Sequence, residues 1–409
     1  VRILIVTQYF WPESFKVNDL ARGLAARGHE VEVLTGMPNY PSGTYFDGYR
    51  ATSPWREDYH GIPVHRVPLV PRGAGRAWKL ALNYLSYAFL AAARVLGWGP
   101  RRRWDAAFVF EISPITQIFP ALVLRALQGV PVAVWVQDLW PESVTASGLV
   151  RSPALVAPIR SLSRWLYGRS DLLLGSSAAF LPRLEALGVP RERLGYLPNW
   201  AEDIFEGASV PERASEPWEA GFPVVFAGNL GRVQGLETVL EAADLLRDDP
   251  EVRWVLAGDG SLQGWLAEEI RRRGLEGKVH LLGRRPMAEM PGLFARAGAL
   301  LVSLAPDEVV SLTIPSKLQT YLAAGRPVVG CIDGEAARVI EESGAGLASP
   351  AGDAAALAAN VRRMARLSAA ERAVLGERGR AYCRAHFSRD ACLASVEAAL
   401  AGLAARRGA

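Results

Sequence analysis

One pattern limits what this chain can fold into more than any other. Short apolar runs of four to six residues alternate with helix-length stretches, and the alternation restarts once, just after residue 200. The runs at 3–6, 31–34, 106–110, 132–136 and 171–174 lack polar alternation, which marks strands buried on both faces. Helical stretches at 17–27, 115–128 and 176–187 lie between them. A segment rich in Glu, Pro, Ser and Gly (202–221) then breaks the pattern. Beyond it, strands are expected at 223–227, 252–257, 279–282, 299–303 and 327–330, with helices at 235–247, 261–273, 316–324 and 353–367. Repeated strand–helix units build doubly wound parallel sheets. The expectation is an α/β chain of two Rossmann-like domains facing a cleft, residues 1–200 and 201–385. A helical, Ala-rich tail over 369–404 follows, and its last part, 386–409, is expected to pack back on the first domain. The length of 409 residues suits this division.

Charge is distributed unevenly. The net charge is +4, but residues 1–200 hold 22 Lys and Arg against 14 Asp and Glu, while residues 201–409 hold 24 against 28. Within the first half, residues 50–103 carry 10 basic and 2 acidic side chains. Such asymmetry points to a polyanionic partner or a membrane. Residues 76–97 read as one helix with Trp78, Leu82, Tyr84, Leu85, Phe89, Leu90, Val95 and Leu96 among few charges. Arg72, Arg76 and Lys79 flank one end and Arg101, Arg102 and Arg103 the other, with Trp98 and Trp104 beside them. Basic flanks with aromatic anchors suit an interfacial helix, so residues 74–104 are expected to meet a membrane surface. A core helix with solvated basic ends is the alternative. No nucleic-acid reading motif accompanies the charge, and nucleic acid is not expected as a partner.

Three cysteines, Cys331, Cys383 and Cys392, form neither a disulfide framework nor a zinc pattern and suit a reducing compartment. The N-terminal apolar run is too short for a signal peptide, and no 18-residue apolar run is found, so no transmembrane helix is expected. The five histidines, His29, His60, His65, His280 and His386, are scattered, and no metal site is expected.

Five turns at strand ends carry the polar residues. The loop after the first strand, Gln8 to Asn18, lacks the glycines of a dinucleotide fingerprint but lies where open α/β sheets bind ligands. Glu13, Lys16 and Asn18 are its candidates. The run 132–136 ends in Gln137 and Asp138; Asp138 either acts as a base, orients a hydroxyl or caps the next turn. Gly228-Asn229-Leu230-Gly231-Arg232-Val233-Gln234-Gly235 is a glycine-rich turn into a helix, suited to phosphate. Asp259-Gly260-Ser261 is a tight turn with Ser261 as a cap. In Ile314-Pro315-Ser316-Lys317, Pro315 is expected at the first helical position and Gly325 as the helix stop. That helix start would aim backbone amides, the Ser316 hydroxyl and the Lys317 ammonium at one point, a good diphosphate site. Asp307 and Glu308 sit just past a strand end, within reach of ligand hydroxyls.

In this order the segments Thr7-Gln8-Tyr9-Phe10-Trp11-Pro12-Glu13, Arg27-Gly28-His29-Glu30-Val31, Pro38-Asn39-Tyr40-Pro41, Gln137-Asp138-Leu139-Trp140-Pro141-Glu142-Ser143, Pro198-Asn199-Trp200, Gly228-Asn229-Leu230-Gly231 and Pro315-Ser316-Lys317 resemble glycosyltransferase family 4. The fold of that family is GT-B. The likeness spans nearly the whole chain and is strongest to bacterial O-antigen and capsule enzymes of the L-fucosaminyltransferase-like group. It implies a retaining, metal-independent glycosyltransferase with no cofactor. The donor would be a nucleotide-sugar, with UDP and an N-acetylated deoxyhexose as the first expectation. The acceptor would be a lipid-linked saccharide in cell-surface polysaccharide biosynthesis, and the enzyme would sit in the cytoplasm on the inner face of the membrane.

Carried onto this chain, the resemblance places the nucleotide base and ribose near Gly283, Arg284 and Thr320. It places the diphosphate at Gly228, Asn229, Gly231, Arg232, Gln234, Ser316 and Lys317. Asp138, Glu13, Asp307 and Glu308 are the catalytic candidates, and Lys16, Asn18 and Gln137 the acceptor-side ones. The chain also departs from the family. Arg and Lys that many members place in the phosphate loop correspond to Asn229 and Gln234, so Arg232 and Lys317 must supply the charge. The glutamate pair of the family falls at Leu312 and Thr320. A sugar-nucleotide 2-epimerase of the same fold and a non-catalytic binding or scaffold protein are the competing expectations.

Overall fold

The computed structural model describes residues 1–73, 76–99, 102–146, 152–201 and 216–408. These form two compact units: Val1–Pro198 with Asp390–Ala409, and Asn199–Arg389. Most of the linker expected at 202–221 lies outside the described residues, as do residues 74, 75, 100 and 101.

The first unit runs β1 (Arg2–Val6), α1 (Lys16–Ala26), β2 (Glu30–Gly36), β3 (Arg56–Tyr59), β4 (Ile62–Val67), α2 (Ala77–Trp98), β5 (Ala106–Glu111), α3 (Phe119–Gln128), β6 (Val132–Val136), α4 (Glu142–Ala146), α5 (Pro153–Arg169), β7 (Leu172–Gly175), α6 (Phe180–Ala186) and β8 (Leu194–Tyr196). Its strands are ordered β3-β4-β2-β1-β5-β6-β7-β8. All neighbours pair in parallel except β3 with β4. Those two strands escape the sequence expectation because Arg56–Tyr59 and Ile62–Val67 mix charged and apolar residues. A two-residue turn joins them, with His60 and Gly61 both at positive φ (53° and 83°), the geometry a tight hairpin favours.

Helix α2 buries Leu80, Asn83, Tyr87, Ala88, Ala91, Ala92 and Val95 and packs on α3 and the sheet. By length and composition alone it could cross a membrane, a test that the core helix of a soluble protein also passes.

The second unit runs β9 (Phe222–Ala227), α7 (Leu236–Leu245), β10 (Val252–Ala257), α8 (Gln263–Arg273), β11 (Val279–Gly283), α9 (Met290–Ala295), β12 (Ala299–Ser303), α10 (Glu308–Ser311), α11 (Ser316–Ala324), β13 (Val328–Cys331), α12 (Gly334–Ser343), β14 (Gly346–Ser349), α13 (Ala354–Arg366) and α14 (Ala369–His386). Its parallel sheet is ordered β11-β10-β9-β12-β13-β14. Strand side chains alternate between two cores. Val224, Phe226, Trp254 and Leu256 enter one, and Val225, Val255, Leu300 and Val302 the other. Strand β14, Gly-Leu-Ala-Ser, lies where the sequence pattern marks no strand, and is made one by pairing with β13.

The expected single helix over 369–404 is two helices, because the chain breaks at Phe387-Ser388 before α15 (Arg389–Gly408). From Asp390 on, the chain packs within the first unit. There Arg27 pairs with Asp390 and Glu397 at 3.2 and 3.3 Å, and His29 Nε2 meets Glu397 Oε1 at 3.0 Å. The Arg27-Gly28-His29 turn thus holds the last helix against α1. Cys331, Cys383 and Cys392 are buried, and none is in a disulfide.

Candidate active site

Each sheet reverses direction once. Apart from the β3–β4 hairpin at its edge, chain order runs outward from β1 on both sides in the first unit, and it runs outward from β9 on both sides in the second. The carboxyl ends of β1 and β5, and of β9 and β12, are therefore the switch points where open α/β sheets accept ligands. Most of the polar residues singled out in the sequence collect at these two places.

In the second unit, Gly228 leaves β9 and its backbone N–H donates to Ala257 O at 2.9 Å, while Gly258 N–H donates to Gly283 O at 2.8 Å. The turns after β9, β10 and β11 are thereby stitched together. Gly258 has φ +146°, and a Cβ there would collide with the Gly228 carbonyl, so only glycine permits this approach. Asn229 and Arg232 are exposed, Gly231 is buried and Gln234 is half-buried. Ala305 N–H donates to Val233 O at 2.8 Å, which ties the loop to the end of β12.

Helix α11 closes this site. Pro315 is its N-cap, not its first residue, and Gly325 ends it in the left-handed conformation. Ser316 is exposed at the first turn. Lys317 Nζ donates to Gln234 Oε1 and lies 3.9 Å from the centre of the Phe226 ring. Burial pushes its pKa down to about 7. The residue expected to replace a missing loop charge thus reaches Gln234, the loop position where that charge is lost. Tyr321 fixes the geometry, because its Oη accepts from Ala227 N–H at 2.8 Å and donates to Ala227 O at 3.2 Å. Sequence reading misses Tyr321, whose spacing in α11 signals only a core residue.

The remaining second-unit candidates are more dispersed. Gly283 has φ +65°, and Arg284 is exposed with Nη1 4.0 Å from Asp259. Thr320 Oγ1 donates back to Ser316 O at 3.1 Å. Asp307 caps α10, its Oδ1 accepting from Val309 and Val310 N–H at 2.8 and 3.0 Å, and Glu308 opens that one-turn helix. Ser261 is not a cap, since α8 starts at Gln263 after Leu262.

In the first unit, Glu13 is buried and its carboxylate accepts three backbone N–H bonds, from Phe10 at 3.2 Å, Asn39 at 2.8 Å and Tyr40 at 2.7 Å. Burial outweighs these bonds and raises its pKa to about 7. Asn18 accepts from Trp11 N–H and donates to Glu13 O, and Lys16 opens α1. Gln137 follows β6, with its N–H on Glu111 O at 2.7 Å. Among the described residues Asp138 makes no capping bond to the turn that follows it. Its Oδ2 accepts from Ser113 N–H at 2.7 Å, in the loop after β5.

Beneath Asp138 lies Glu111, a residue sequence reading passes over. It is fully buried, with Tyr167 Oη 3.5 Å from Oε2 and no partner for Oε1 among the described residues. Burial and the charge of Asp138 hold its carboxyl well above the usual range. The missed signal is a lone carboxylate ending the apolar run Ala-Ala-Phe-Val-Phe-Glu, the same cue that marks Asp138. Among the described residues no three His, Cys, Asp or Glu side chains gather as metal ligands.

The expected interfacial helix needs correction at its carboxyl end. Trp104 is buried, and Trp98 packs on His65 and Trp104 at 5.1 and 5.0 Å. Arg102 pairs with Glu32 at 2.7 Å, and Arg101 lies outside the described residues. The exposed apolar residues are Trp78, Leu82, Leu85, Phe89, Leu90 and Leu96. Their spacing makes one stripe along α2.

Two switch-point sites in Rossmann-like units, one rich in anion-binding groups, define a class of nucleotide-dependent transferases. Comparison with known proteins gives the family. The Glycosyl transferase 4-like domain matches residues 15–200 and Glycosyl transferases group 1 matches residues 221–366. The chain belongs to glycosyltransferase family 4, with the GT-B fold, and is a glycosyltransferase. It is 26% identical over 339 residues to the colanic acid biosynthesis glycosyl transferase WcaI of Escherichia coli K12, covering 80% of this chain and 82% of that one. Glycosyltransferase WbjE of Pseudomonas aeruginosa is 27% identical over 294 residues, 68% and 70% of the two chains. The crystal structure of Anabaena HepE in complex with UDP shares the fold, with a TM-score of 0.70 at 16% identity over 98% of this chain and 100% of that one.

Proposed function

We propose that this glycosyltransferase moves a sugar from a UDP donor, with retention, onto a lipid-linked saccharide during cell-surface polysaccharide biosynthesis. The observation that carries the reading is the convergence of Lys317, Gln234 and the start of α11 on the Gly228 turn. A helix start, a hydroxyl and an enclosed ammonium are what a leaving diphosphate needs. The names of WcaI and WbjE support the pathway class, and the UDP seen in HepE supports the donor base. The transferred sugar is an N-acetylated deoxyhexose, an expectation carried by the resemblance of the motifs.

In this reading Lys317, Ser316 and Arg232 stabilise the nucleoside diphosphate as the bond from sugar C1 to its oxygen breaks. The acceptor oxygen bonds to C1 on that same face, and its proton passes to the departing phosphate. Because protein groups supply the positive charge, the chemistry needs no metal. Asp138 orients sugar hydroxyls. Glu13 acts as a positioning residue that joins three loop segments. Asp307 and Glu308 border the donor sugar, Gly283, Arg284 and Thr320 the nucleoside, and Lys16, Asn18 and Gln137 the acceptor. The exposed stripe of α2, with Trp78 and Phe89 at 57% and 62% exposure, rests on the inner face of the membrane.

The test is incubation of the full chain with a panel of nucleotide-sugars and a prenyl-diphosphate saccharide, with product read by mass. A glycosylated lipid formed from a UDP-sugar and lost in Lys317→Ala supports the reading. Failure to bind UDP, or undiminished transfer by Lys317→Ala, overturns the donor assignment.

A further inference from the structure

One cluster in the first unit has no role in the reactions described so far. At the carboxyl ends of β1 and β2, Tyr9, Phe15 and Tyr40 form a triangle of rings. Their centroids are 5.4 Å (Tyr9–Phe15), 5.8 Å (Tyr9–Tyr40) and 5.5 Å (Phe15–Tyr40) apart. Arg72 enters this triangle from the segment that leads into α2. Its Nη1 donates to Tyr9 Oη at 2.8 Å, and its guanidinium lies 5.0 Å from the Tyr40 ring centre and 5.8 Å from that of Tyr9. Its backbone N–H donates to Asn39 Oδ1 at 3.1 Å, an oxygen that also accepts from Asn83 Nδ2 at 3.3 Å. Asn39 is in turn held by the buried Glu13 carboxylate. The guanidinium is therefore fixed at both its backbone and its tip.

What it lacks is a counter-charge. Among the described residues Arg72 makes no ion pair, whereas Arg66 nearby is paired with Glu57 and Arg102 with Glu32. Arg72 is half-buried and Tyr40 is 39% exposed, so both residues are reachable from solvent. A planar, fixed guanidinium with unused donors is matched to phosphate oxygens. A ring face beside it suits the C–H face of a pyranose. Tyr84 of α2 adjoins the cluster, close enough to Arg72 and Asp138 for their charges to act on its phenol.

We propose that Arg72, Tyr40 and Phe15 form the acceptor subsite. Arg72 takes the diphosphate that joins the acceptor saccharide to its lipid, and the rings of Tyr40 and Phe15 take the first sugar. This assignment rests on the lipid-linked acceptor proposed above. It puts the anionic group of the acceptor at the amino-terminal end of the helix that faces the bilayer, where a lipid-bound diphosphate would emerge.

The experiment is calorimetric titration of the full chain in excess UDP with three probes. They are citronellyl diphosphate carrying N-acetylglucosamine, the octyl glycoside of that sugar, and its free 1-phosphate. Arg72→Gln should weaken the diphosphate probe about tenfold or more, the scale of a lost charge-assisted hydrogen bond, and leave the octyl glycoside unchanged. Arg72→Lys should recover part of the loss, and Tyr40→Ala should weaken all three probes, since each carries the sugar. Thermal melting of each variant controls for unfolding. Equal weakening of both probes by Arg72→Gln, or no weakening of either, overturns the subsite. So does failure of the wild type to bind the diphosphate probe. If the free sugar phosphate binds as tightly as the prenyl diphosphate and Arg72→Gln abolishes both, the anion subsite stands and the lipid-linked reading fails.

Discussion

The ammonium of Lys317 lies 3.9 Å from the centre of the Phe226 ring, with Gln234 Oε1 as its hydrogen-bond acceptor. A cation held on a ring face and a neutral amide, away from water, loses solvation and gives up its proton more easily. Its pKa is accordingly pulled down to about 7.

The first prediction follows from that placement. A bound diphosphate favours the ammonium form, so binding takes up a proton wherever free Lys317 is neutral. UDP affinity should fall as pH rises above 7, by at most about tenfold per pH unit for one linked proton. Lys317→Met should weaken UDP by about 10- to 100-fold near pH 6 and remove the pH dependence. Titrations between pH 6 and 8.5, in buffers of different ionisation enthalpy, measure both affinity and proton uptake. A pH-independent wild-type affinity would sink the idea.

Tyr321 carries the second. Its hydroxyl satisfies both backbone groups of Ala227, immediately before the Gly228 turn, and it is buried. Tyr321→Phe leaves the half-buried Ala227 N–H without its acceptor and should cost about 1–3 kcal/mol in urea denaturation. Because Ala227 leads into the phosphate loop, UDP affinity should fall as well. Unchanged stability would mean that the strand end finds another partner.

The doubly wound architecture is legible in the sequence because strands buried on both faces must be apolar along their whole length. Runs such as Val132–Val136 and Ala299–Ser303 therefore mark themselves. Strands at an edge carry no such mark. Arg56–Tyr59 and Gly346–Ser349 become strands only by pairing with a neighbour. The candidate site divides in the same way. Lys317 and the Gly228 turn are visible because helix starts and glycines have local signatures. The bond of Tyr321 to Ala227 and the stacking of Arg72 on Tyr40 join residues far apart in the chain, and no local pattern announces them. The membrane expectation fails at Trp104 for a related reason, since composition cannot tell an aromatic that faces out from one that faces in.

Glu111 gives a prediction about stability. Its carboxyl is fully buried and held well above the usual range by burial and by Asp138. The folded state then keeps a proton that the unfolded state releases above about pH 4.5. Folding stability must fall as pH rises through that window, with a limiting slope of about 1.4 kcal/mol per pH unit for this group. Glu111→Gln removes the titration, keeps the acceptor for Tyr167 and preserves shape. Its stability relative to wild type should rise with pH, measured by urea denaturation at pH 5, 6 and 7. Parallel pH profiles for the two proteins would show that Glu111 is ionised in the fold.

The last prediction concerns α2. Trp78 and Phe89 lie on its outward stripe, 57% and 62% exposed, with Leu82 and Leu85 between them. Phe89 also meets Phe119, which meets Trp165 of α5 at 6.4 Å, so the apolar surface extends onto a second helix. Taking two such aromatics out of water should contribute a few kcal/mol of membrane affinity, at about 25 cal/mol per Å². Changing both to Ser should therefore lower partitioning onto vesicles containing phosphatidylglycerol by about tenfold or more. Because the exposed rings contribute little to the core, thermal stability and UDP affinity should stay near wild type. Raising salt should weaken the binding that remains, since Arg76 and Lys79 at the start of the helix act through screened charge. Vesicle flotation of wild type and double variant at low and high salt measures both effects. Equal flotation of the two proteins would mean that α2 is not the surface that meets the bilayer.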